Sequence, residues 1–146
     1  MRIIDDSELT EELIGQHHLI LFGDPGSNSA IAKVVTALKG PTFAWDRDGF
    51  RIGKQTYATD EHAWSMIYPN PLNPKRYVVL NSGHTFHEKD FKASNSWLFP
   101  RLGDIAVQKF RRNGNGGFDE TTLWADIFDS GWQLRPATKT ATRSLP

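Results

Sequence analysis

The chain has 146 residues, with 17 basic side chains against 17 acidic ones, five histidines and no cysteine. This length fits one domain with its own hydrophobic core. Zero net charge argues against nucleic acid or a membrane surface as the main partner, because both attract basic proteins. Without cysteine there is no disulfide framework and no zinc–thiolate site. We therefore expect a soluble domain without a nucleotide, haem or iron–sulfur cofactor.

The first residues do not resemble a targeting segment. Met1 to Ile4 lead directly into acidic residues, which is not typical of a signal peptide. No apolar run approaches the ~20 residues that a membrane-spanning helix needs. The sequence therefore predicts a cytoplasmic protein as expressed.

The clearest secondary-structure pattern in the sequence is a strand–turn–helix unit near the N-terminus. A short helix is predicted over 8–14, followed by the apolar run His18–Phe22, which is typical of a strand buried on both faces. A glycine-rich turn over 23–26 follows, and Ser27 or Asn28 can cap the next helix. That helix carries an apolar stripe formed by Ile31, Val34, Val35 and Leu38.

The middle of the chain predicts strands. Thr42–Trp45 and Phe50–Tyr57 flank Asp46–Gly49, whose Asp-Gly pair is a strong hairpin signal. Ala63–Tyr68 is a further strand, and the three prolines of Pro69–Pro74 close it with a stiff loop.

The second half of the chain predicts further strands and one more helix. Arg76–Leu80 is another buried-type strand, and a helix is predicted over Glu88–Phe99. Strands follow at Ile105–Phe110 and Leu123–Phe128, while residues 137–146 have no apolar period and predict a flexible tail. The five tryptophans are expected to fill the core.

Together these elements predict a single α/β domain over residues 1–136. Its expected architecture is a small three-layer α/β sandwich, with a mixed sheet that has a parallel centre and antiparallel edge hairpins. Helices would cover both faces of the sheet.

Three polar or rigid loops follow predicted strands, at Gly23–Asn28, Pro69–Pro74 and Asn81–Glu88. In open α/β sheets, ligands bind beyond the carboxyl ends of the strands. If the strands run parallel, these loops meet at one crevice and bring Asn70 and Asn81 to a common substrate.

The first loop is a candidate oxyanion site. Gly26, Ser27 and Asn28 place backbone N–H groups at a predicted helix N-terminus, where the helix dipole favours an anion. The pattern matches neither the P-loop nor the dinucleotide fingerprint. The alternative is that Ser27 or Asn28 simply caps the helix.

The stretch Asn81–Asp90 has the highest density of polar residues and holds most of the candidate acid–base and metal residues. His84 can serve as a general base near pH 7, with Ser82 and Asp24 as further candidate catalytic residues. Asp24, His87 and Glu88 are candidate ligands for Ca²⁺ or another divalent metal. In the alternative interpretation, a histidine bonds a backbone carbonyl and Glu88 opens the next helix.

Parts of the sequence resemble a known family. The segments Leu19–Asn28, Ile67–Asp90 and Pro100–Asp104 resemble the C-terminal domain appended to bacterial prolyl-oligopeptidase-like α/β-hydrolase proteins, and the similarity covers most of residues 8–134. In those proteins the Ser-His-Asp triad belongs to a preceding domain, so the resemblance transfers the domain's shape and its loops but no catalytic residue.

Two functions remain open. The first is a small hydrolase for an ester or lactone, with backbone N–H groups holding the oxyanion and a metal such as Ca²⁺ assisting. The second is a non-catalytic accessory domain of a larger α/β-hydrolase system. The expected partners are a small-molecule substrate in the first case, and a hydrolase domain or a second copy of this chain in the second.

The hydrolase hypothesis makes a direct prediction for His84. A general base contributes ~10²–10⁴-fold to the rate, so His84→Ala should reduce the turnover of p-nitrophenyl esters or lactones by about that factor, with unfolding stability changed by ~1 kcal/mol or less. His87→Ala is the matched control and should retain most activity. Full activity in His84→Ala, or its unfolding, would contradict a catalytic role.

Overall fold

The structure of the chain, a computed structural model, describes residues 2–38, 42–46, 48–82 and 103–135. A single 3₁₀ turn at Asp6–Glu8 precedes two helices and eight strands in these ranges. The helices are α1 (Glu11–Gln16) and α2 (Ser29–Ala37). The strands are β1 (Leu19–Phe22), β2 (Phe43–Trp45), β3 (Gly49–Ile52), β4 (Gln55–Ala58), β5 (His62–Pro69), β6 (Tyr77–Asn81), β7 (Ile105–Arg112) and β8 (Phe118–Asp126).

The described residues form a β-rich fold with two sheets. One sheet has five strands in the order β1-β6-β5-β7-β8, and the other has three in the order β2-β3-β4. The predicted three-layer α/β sandwich is wrong, because strands dominate the described residues and the two helices among them do not cover both faces of a sheet. Apolar residues of α1 and α2, such as Ile14 and Ile31, join the three-stranded sheet in one core against the large sheet.

The two strands with continuous apolar sequence are parallel neighbours, as predicted. β1 pairs with β6 in parallel, with Leu19 opposite Val78. The predicted parallel centre of the sheet is wrong, since β1 is an edge strand and the central strand β5 pairs with β6 and β7 in antiparallel orientation. Burial in β1 alternates: Leu19 and Leu21 face the core, whereas Ile20 is 51% exposed and Phe22 46% exposed.

The small sheet confirms one predicted hairpin and corrects another element. β2 and β3 pair in antiparallel orientation around the Asp46–Gly49 turn, where Asp46 Oδ1 accepts hydrogen bonds from two backbone N–H groups. The single strand predicted over Phe50–Tyr57 is instead two strands, β3 and β4. The chain reverses at Gly53, whose φ of +60° suits a residue without a Cβ.

Trp64 on β5 lies at the centre of the core. It is fully buried, and its ring contacts those of Phe43, Trp45 and Phe50 from the small sheet, with centroid separations of 5.2 to 5.8 Å. Burying a large apolar side chain contributes ~1.5–3 kcal/mol. This aromatic cluster therefore joins the two sheets.

The start of α2 is fixed by side chains from outside the helix. Asn28 is the N-cap, and its Oδ1 accepts hydrogen bonds from Ala30 N and Ile31 N. Ser29 N donates to Asp6 Oδ2 at 2.7 Å, which ties the first turn of the chain to this helix. Hydrogen bonding to Ser29 lowers the pKa of Asp6 below its ordinary value. The predicted cap at Ser27 or Asn28 is therefore Asn28.

Two predicted segments, the helix over Glu88–Phe99 and the tail over 137–146, lie outside the described residues. Neither helix in the described part of the chain has the length and apolar character that crossing a bilayer requires.

Gly103 provides a sensitive test of the fold. It has a φ of +60°, and an added Cβ would lie 2.4 Å from the backbone oxygen of Asp126. A left-handed conformation costs a non-glycine residue ~1–2 kcal/mol, and the contact with backbone adds to this cost. Gly103→Ala should therefore lower the free energy of unfolding by about 2 kcal/mol or more, measured by urea denaturation.

Gly114→Ala is the matched control. A Cβ at Gly114 would meet no atom within 4 Å, so its effect should stay within ~0.5 kcal/mol. Equal denaturation midpoints for the two variants would contradict the packing around Gly103.

Candidate functional site

Two of the three loops selected from the sequence, Gly23–Asn28 and Pro69–Pro74, do not converge, and only Asn81 and Ser82 of the third lie within the described residues. β1 and β6 are parallel, so the loop of residues 23–28 (the Asp24 loop) lies beside Asn81, with Gly23 N donating to Asn81 O. β5 is antiparallel to β6, so Asn70 lies at the opposite end of the sheet. β6 has five residues, which separates the two ends by roughly 16 Å. Asn70 therefore does not share a substrate with Gly26 or Asn28.

The Asp24 loop uses its polar groups internally. Asp24 Oδ1 accepts hydrogen bonds from Gly26 N at 2.7 Å and from Ser27 N at 3.1 Å. Ser27 Oγ in turn accepts a hydrogen bond from Asp24 N at 3.0 Å. Two of the amides selected as oxyanion donors thus already bind a carboxylate of their own loop, and the third, Asn28 N, donates to the backbone oxygen of Asp24. The Asp24 carboxylate therefore occupies the position in which an anionic ligand would bind these amides.

Ser82 is part of the sheet. Its Oγ accepts the backbone N–H of Trp64 at 2.7 Å, and its own N–H donates to Trp64 O at 3.0 Å. The residue is 8% exposed. This buried, engaged hydroxyl closes the end of the β5–β6 pair, which is a structural position rather than that of an exposed nucleophile.

The other catalytic and metal candidates, His84, His87 and Glu88, lie outside the described residues. Asp24 is described, but its carboxylate is engaged as above. No three histidine or carboxylate side chains come together as a metal-binding group within residues 2–38, 42–46, 48–82 and 103–135.

Asn70 occupies a different environment in the proline-rich loop. Its backbone N–H donates to Arg76 O, and its Oδ1 accepts from Leu72 N at 3.0 Å. Asn73 Nδ2 reaches the carbonyl oxygens of Ile14 and Gly15 at the end of α1. The two asparagines thus supply hydrogen bonds that the prolines cannot make, and they hold the loop in one conformation.

The amide nitrogen of Asn70 has no comparable partner. Asn70 is fully buried, and its Nδ2 has no hydrogen-bond acceptor among the described residues. A buried donor left unsatisfied costs ~1–3 kcal/mol. Such a group is uncommon in a folded protein and requires an explanation, of which a ligand that supplies the acceptor is one.

Asn70 lines a cleft of about 190 Å³ between the proline-rich loop and the end of the core, which we call the Asn70 cleft. Its walls are aromatic and prolyl side chains, including those of Phe43, Tyr68, Pro71, Pro74 and Trp132.

Two of these aromatic residues are linked. Burial raises the pKa of Tyr68, and its hydroxyl donates a hydrogen bond to Trp132 O at 3.2 Å. The cleft is thus lined mainly by aromatic, prolyl and aliphatic residues, together with Thr42, Gln133 and Asn70, whose Nδ2 is buried and unpaired among the described residues.

Trp132 adds backbone strain at this cleft. Its φ is +59°, and no other non-glycine residue in the described ranges has a positive φ. Strained backbone of this kind costs ~1–3 kcal/mol and is concentrated at functional sites. The Asp129 side chain holds the loop by accepting the N–H groups of Gly131 and Gln133.

Asn70 was predicted to share a site with the Asp24 loop, but it lies beside Tyr68 and Trp132. The contact of Tyr68 with Trp132 spans 64 positions of the chain, so the sequence did not predict it. The one sequence feature that pointed to this cleft was the aromatic residues near the proline-rich loop, and they do not indicate which distant residue contacts them.

Comparisons with family models, with curated proteins and with solved structures return no match for this chain. The resemblance to a hydrolase-appended domain therefore stays a prediction based on the residues quoted for it.

The hydrogen bond at Ser82 separates a structural role from a catalytic one. Ser82→Ala removes the acceptor of a buried backbone N–H, so we expect the free energy of unfolding to fall by ~1–3 kcal/mol. Ser65→Ala is the matched control, since Ser65 Oγ is also buried but has no hydrogen-bond partner among the described residues. Its loss should cost much less. Urea denaturation measures both.

Unchanged stability in Ser82→Ala, together with loss of p-nitrophenyl ester hydrolysis, would contradict the structural assignment. That outcome would make Ser82 the nucleophile.

Proposed function

We propose that this chain is a non-catalytic interaction domain whose Asn70 cleft binds a short apolar segment of a partner protein. The observation that carries the proposal is the buried Asn70 Nδ2, which lacks an acceptor among the described residues. A backbone carbonyl of a bound segment would supply that acceptor, and an apolar side chain would pack against Tyr68 and Trp132.

The size of the cleft favours part of a chain over a whole small-molecule ligand. Sites for small molecules are usually ~300–1,000 Å³, whereas this cleft measures about 190 Å³. It fits one side chain with an adjoining peptide group. Aromatic-lined grooves are a common binding surface for extended peptide segments.

The polar groups weigh against hydrolysis in the described residues. Asp24 fills its own loop, and Ser82 bonds the backbone of Trp64. The hydrolase function stays a prediction, because its general base, His84, lies outside the described ranges. The expected partner is a hydrolase domain, as the family resemblance implies, with a second copy of this chain as the alternative.

Binding can be measured with the neutral probe N-acetyl-leucinamide, which combines an apolar side chain with amide acceptors. In ¹H–¹⁵N spectra, we expect the side-chain amide of Asn70 and the indole of Trp132 to shift together during the titration. No shift at these two groups up to the solubility limit of the probe would overturn the proposal.

Asn70→Asp tests the donor itself. An aspartate keeps the oxygen that accepts from Leu72 N but replaces the Nδ2 donor, so affinity should fall by about tenfold or more. Asn115→Asp introduces the same charge on the exposed β7–β8 turn and should bind normally.

A second variant is needed in case the buried carboxylate of Asn70→Asp unfolds the proline-rich loop. Trp132→Gly permits the left-handed backbone but removes the aromatic wall, and it should also weaken binding. Unchanged affinity in a folded Asn70→Asp or Trp132→Gly protein would contradict a site at the Asn70 cleft.

A further inference from the structure

A single peptide group links the Asn70 cleft to His18, the residue just before β1. This group joins Arg76 to Tyr77. Its carbonyl oxygen accepts a hydrogen bond from Asn70 N at 2.8 Å, and its N–H donates to His18 Nδ1 at 2.9 Å. Hydrogen bonds that follow one another in a chain polarise one another. The backbone that positions Asn70 therefore depends on an acceptor that the His18 ring supplies.

Aromatic contacts make a second connection between His18 and the cleft. The ring of Tyr77 stacks on that of His18, with the centroids 5.6 Å apart and the planes inclined by 19°. The same Tyr77 ring contacts the ring of Trp132 at a centroid separation of 5.5 Å, and Trp132 lines the cleft. A displacement of Tyr77 therefore reaches the cleft through its ring as well as through its backbone.

The hydrogen bond from Tyr77 defines the protonation state of His18. A backbone N–H can only donate, so His18 Nδ1 has to be unprotonated, and the neutral ring carries its proton on Nε2. His62 has the opposite arrangement, because its Nδ1 lies 3.0 Å from the carbonyl oxygen of Ala58 and has to donate. A charged imidazole carries protons on both nitrogens. Protonation is therefore compatible with the bond of His62 but removes the bond of His18.

The histidines set the pH range in which such a change occurs. Histidine is the side chain that ordinarily changes charge between pH 5 and 8, whereas carboxylates, lysines and arginines ordinarily do not. The other titratable side chains on the elements around His18 are Glu11, Glu12, His17, Lys75, Arg76, Tyr77, Asp129 and Arg135. His17 is the one histidine among them, so its titration has to be separated from that of His18.

We propose that His18 is a pH-sensitive positioning residue for the Asn70 cleft: the neutral ring holds the cleft in its binding form, and protonation weakens binding. A proton on Nδ1 points at the N–H of Tyr77, so the two groups move apart and the peptide group turns away from Asn70 N. The charged ring can still stack on Tyr77, because aromatic faces attract cations. The loss is therefore that of one hydrogen bond and leaves the fold intact. This inference rests on the proposed binding function and adds its regulation.

The hydrogen bond itself is tested without a ligand. In long-range ¹H–¹⁵N spectra at pH 8, we expect His18 as the Nε2–H tautomer and His62 as the Nδ1–H tautomer. The backbone amide resonance of Tyr77 should shift as His18 takes up its proton on acidification. An Nδ1–H tautomer of His18 at pH 8, or a Tyr77 amide that does not respond, would overturn the inference.

Binding is then measured with N-acetyl-leucinamide, which has no titratable group, at pH 8 and at pH 5. The shift of the Asn70 side-chain amide reports the affinity. Because one hydrogen bond of the network is lost, we expect an affinity about three- to tenfold lower at pH 5.

Three variants separate the proton from the shape of the side chain. In His18→Asn, the amide oxygen can take the acceptor position of Nδ1 and does not titrate, so the affinity at pH 8 should be retained at pH 5. His18→Leu removes the acceptor and should bind weakly at both pH values. His17→Asn is the matched control and should keep the full pH dependence.

A pH dependence that persists in His18→Asn, or that disappears in His17→Asn, would overturn this inference and leave the proposed binding function intact. Equal affinity of the unmodified protein at pH 5 and pH 8 would do the same. No binding of the probe at either pH would overturn the proposed function, and this inference with it.

Discussion

The packing of Trp64 between the two sheets is the constraint on which the rest of this structure depends. Its indole ring contacts three aromatic residues of the small sheet, while its backbone exchanges hydrogen bonds with Ser82 at the end of β6. Trp64 therefore connects the two sheets through its side chain, and connects β5 to the end of β6 through its backbone. Because protein interiors are closely packed, a change at this position would disturb both connections.

The direction of β5 decides where function can reside. Because β5 runs antiparallel to β6, the proline-rich loop lies at the far end of the sheet from the Asp24 loop. Among the described residues at the first end, the Gly26 and Ser27 amides of the Asp24 loop already have acceptors within that loop. The second end keeps buried donors unpaired on Asn70 and Arg76, next to the strained Trp132.

This difference between the two ends favours binding over catalysis. Unsatisfied buried donors and a strained backbone both reduce stability. A ligand that supplies an acceptor removes part of that cost, and this gain contributes to its affinity. At the Asp24 loop, by contrast, a ligand would have to displace the Asp24 carboxylate from Gly26 and Ser27, which would offset what it gains.

Local sequence determined much of the secondary structure. The Asp46–Gly49 hairpin and the Asn28 cap were predictable, because turn residues and caps act over a few neighbouring positions. The parallel pairing of β1 with β6 was inferred from the apolar composition of both strands, although they lie far apart in the chain. Asn70 was also predicted as a site residue, since a polar residue among prolines is prominent in any sequence.

Only the tertiary structure decided the fold class and the composition of the site. The apolar run of β1 fits an edge strand as well as a central one, because hydrophobicity does not encode which face another element covers. The contact of Tyr68 with Trp132, and the pairing of Asn70 with Arg76, depend on strand direction and register. Those properties arise from packing across the whole core, so residues far apart in the chain meet in a cleft that no local pattern describes.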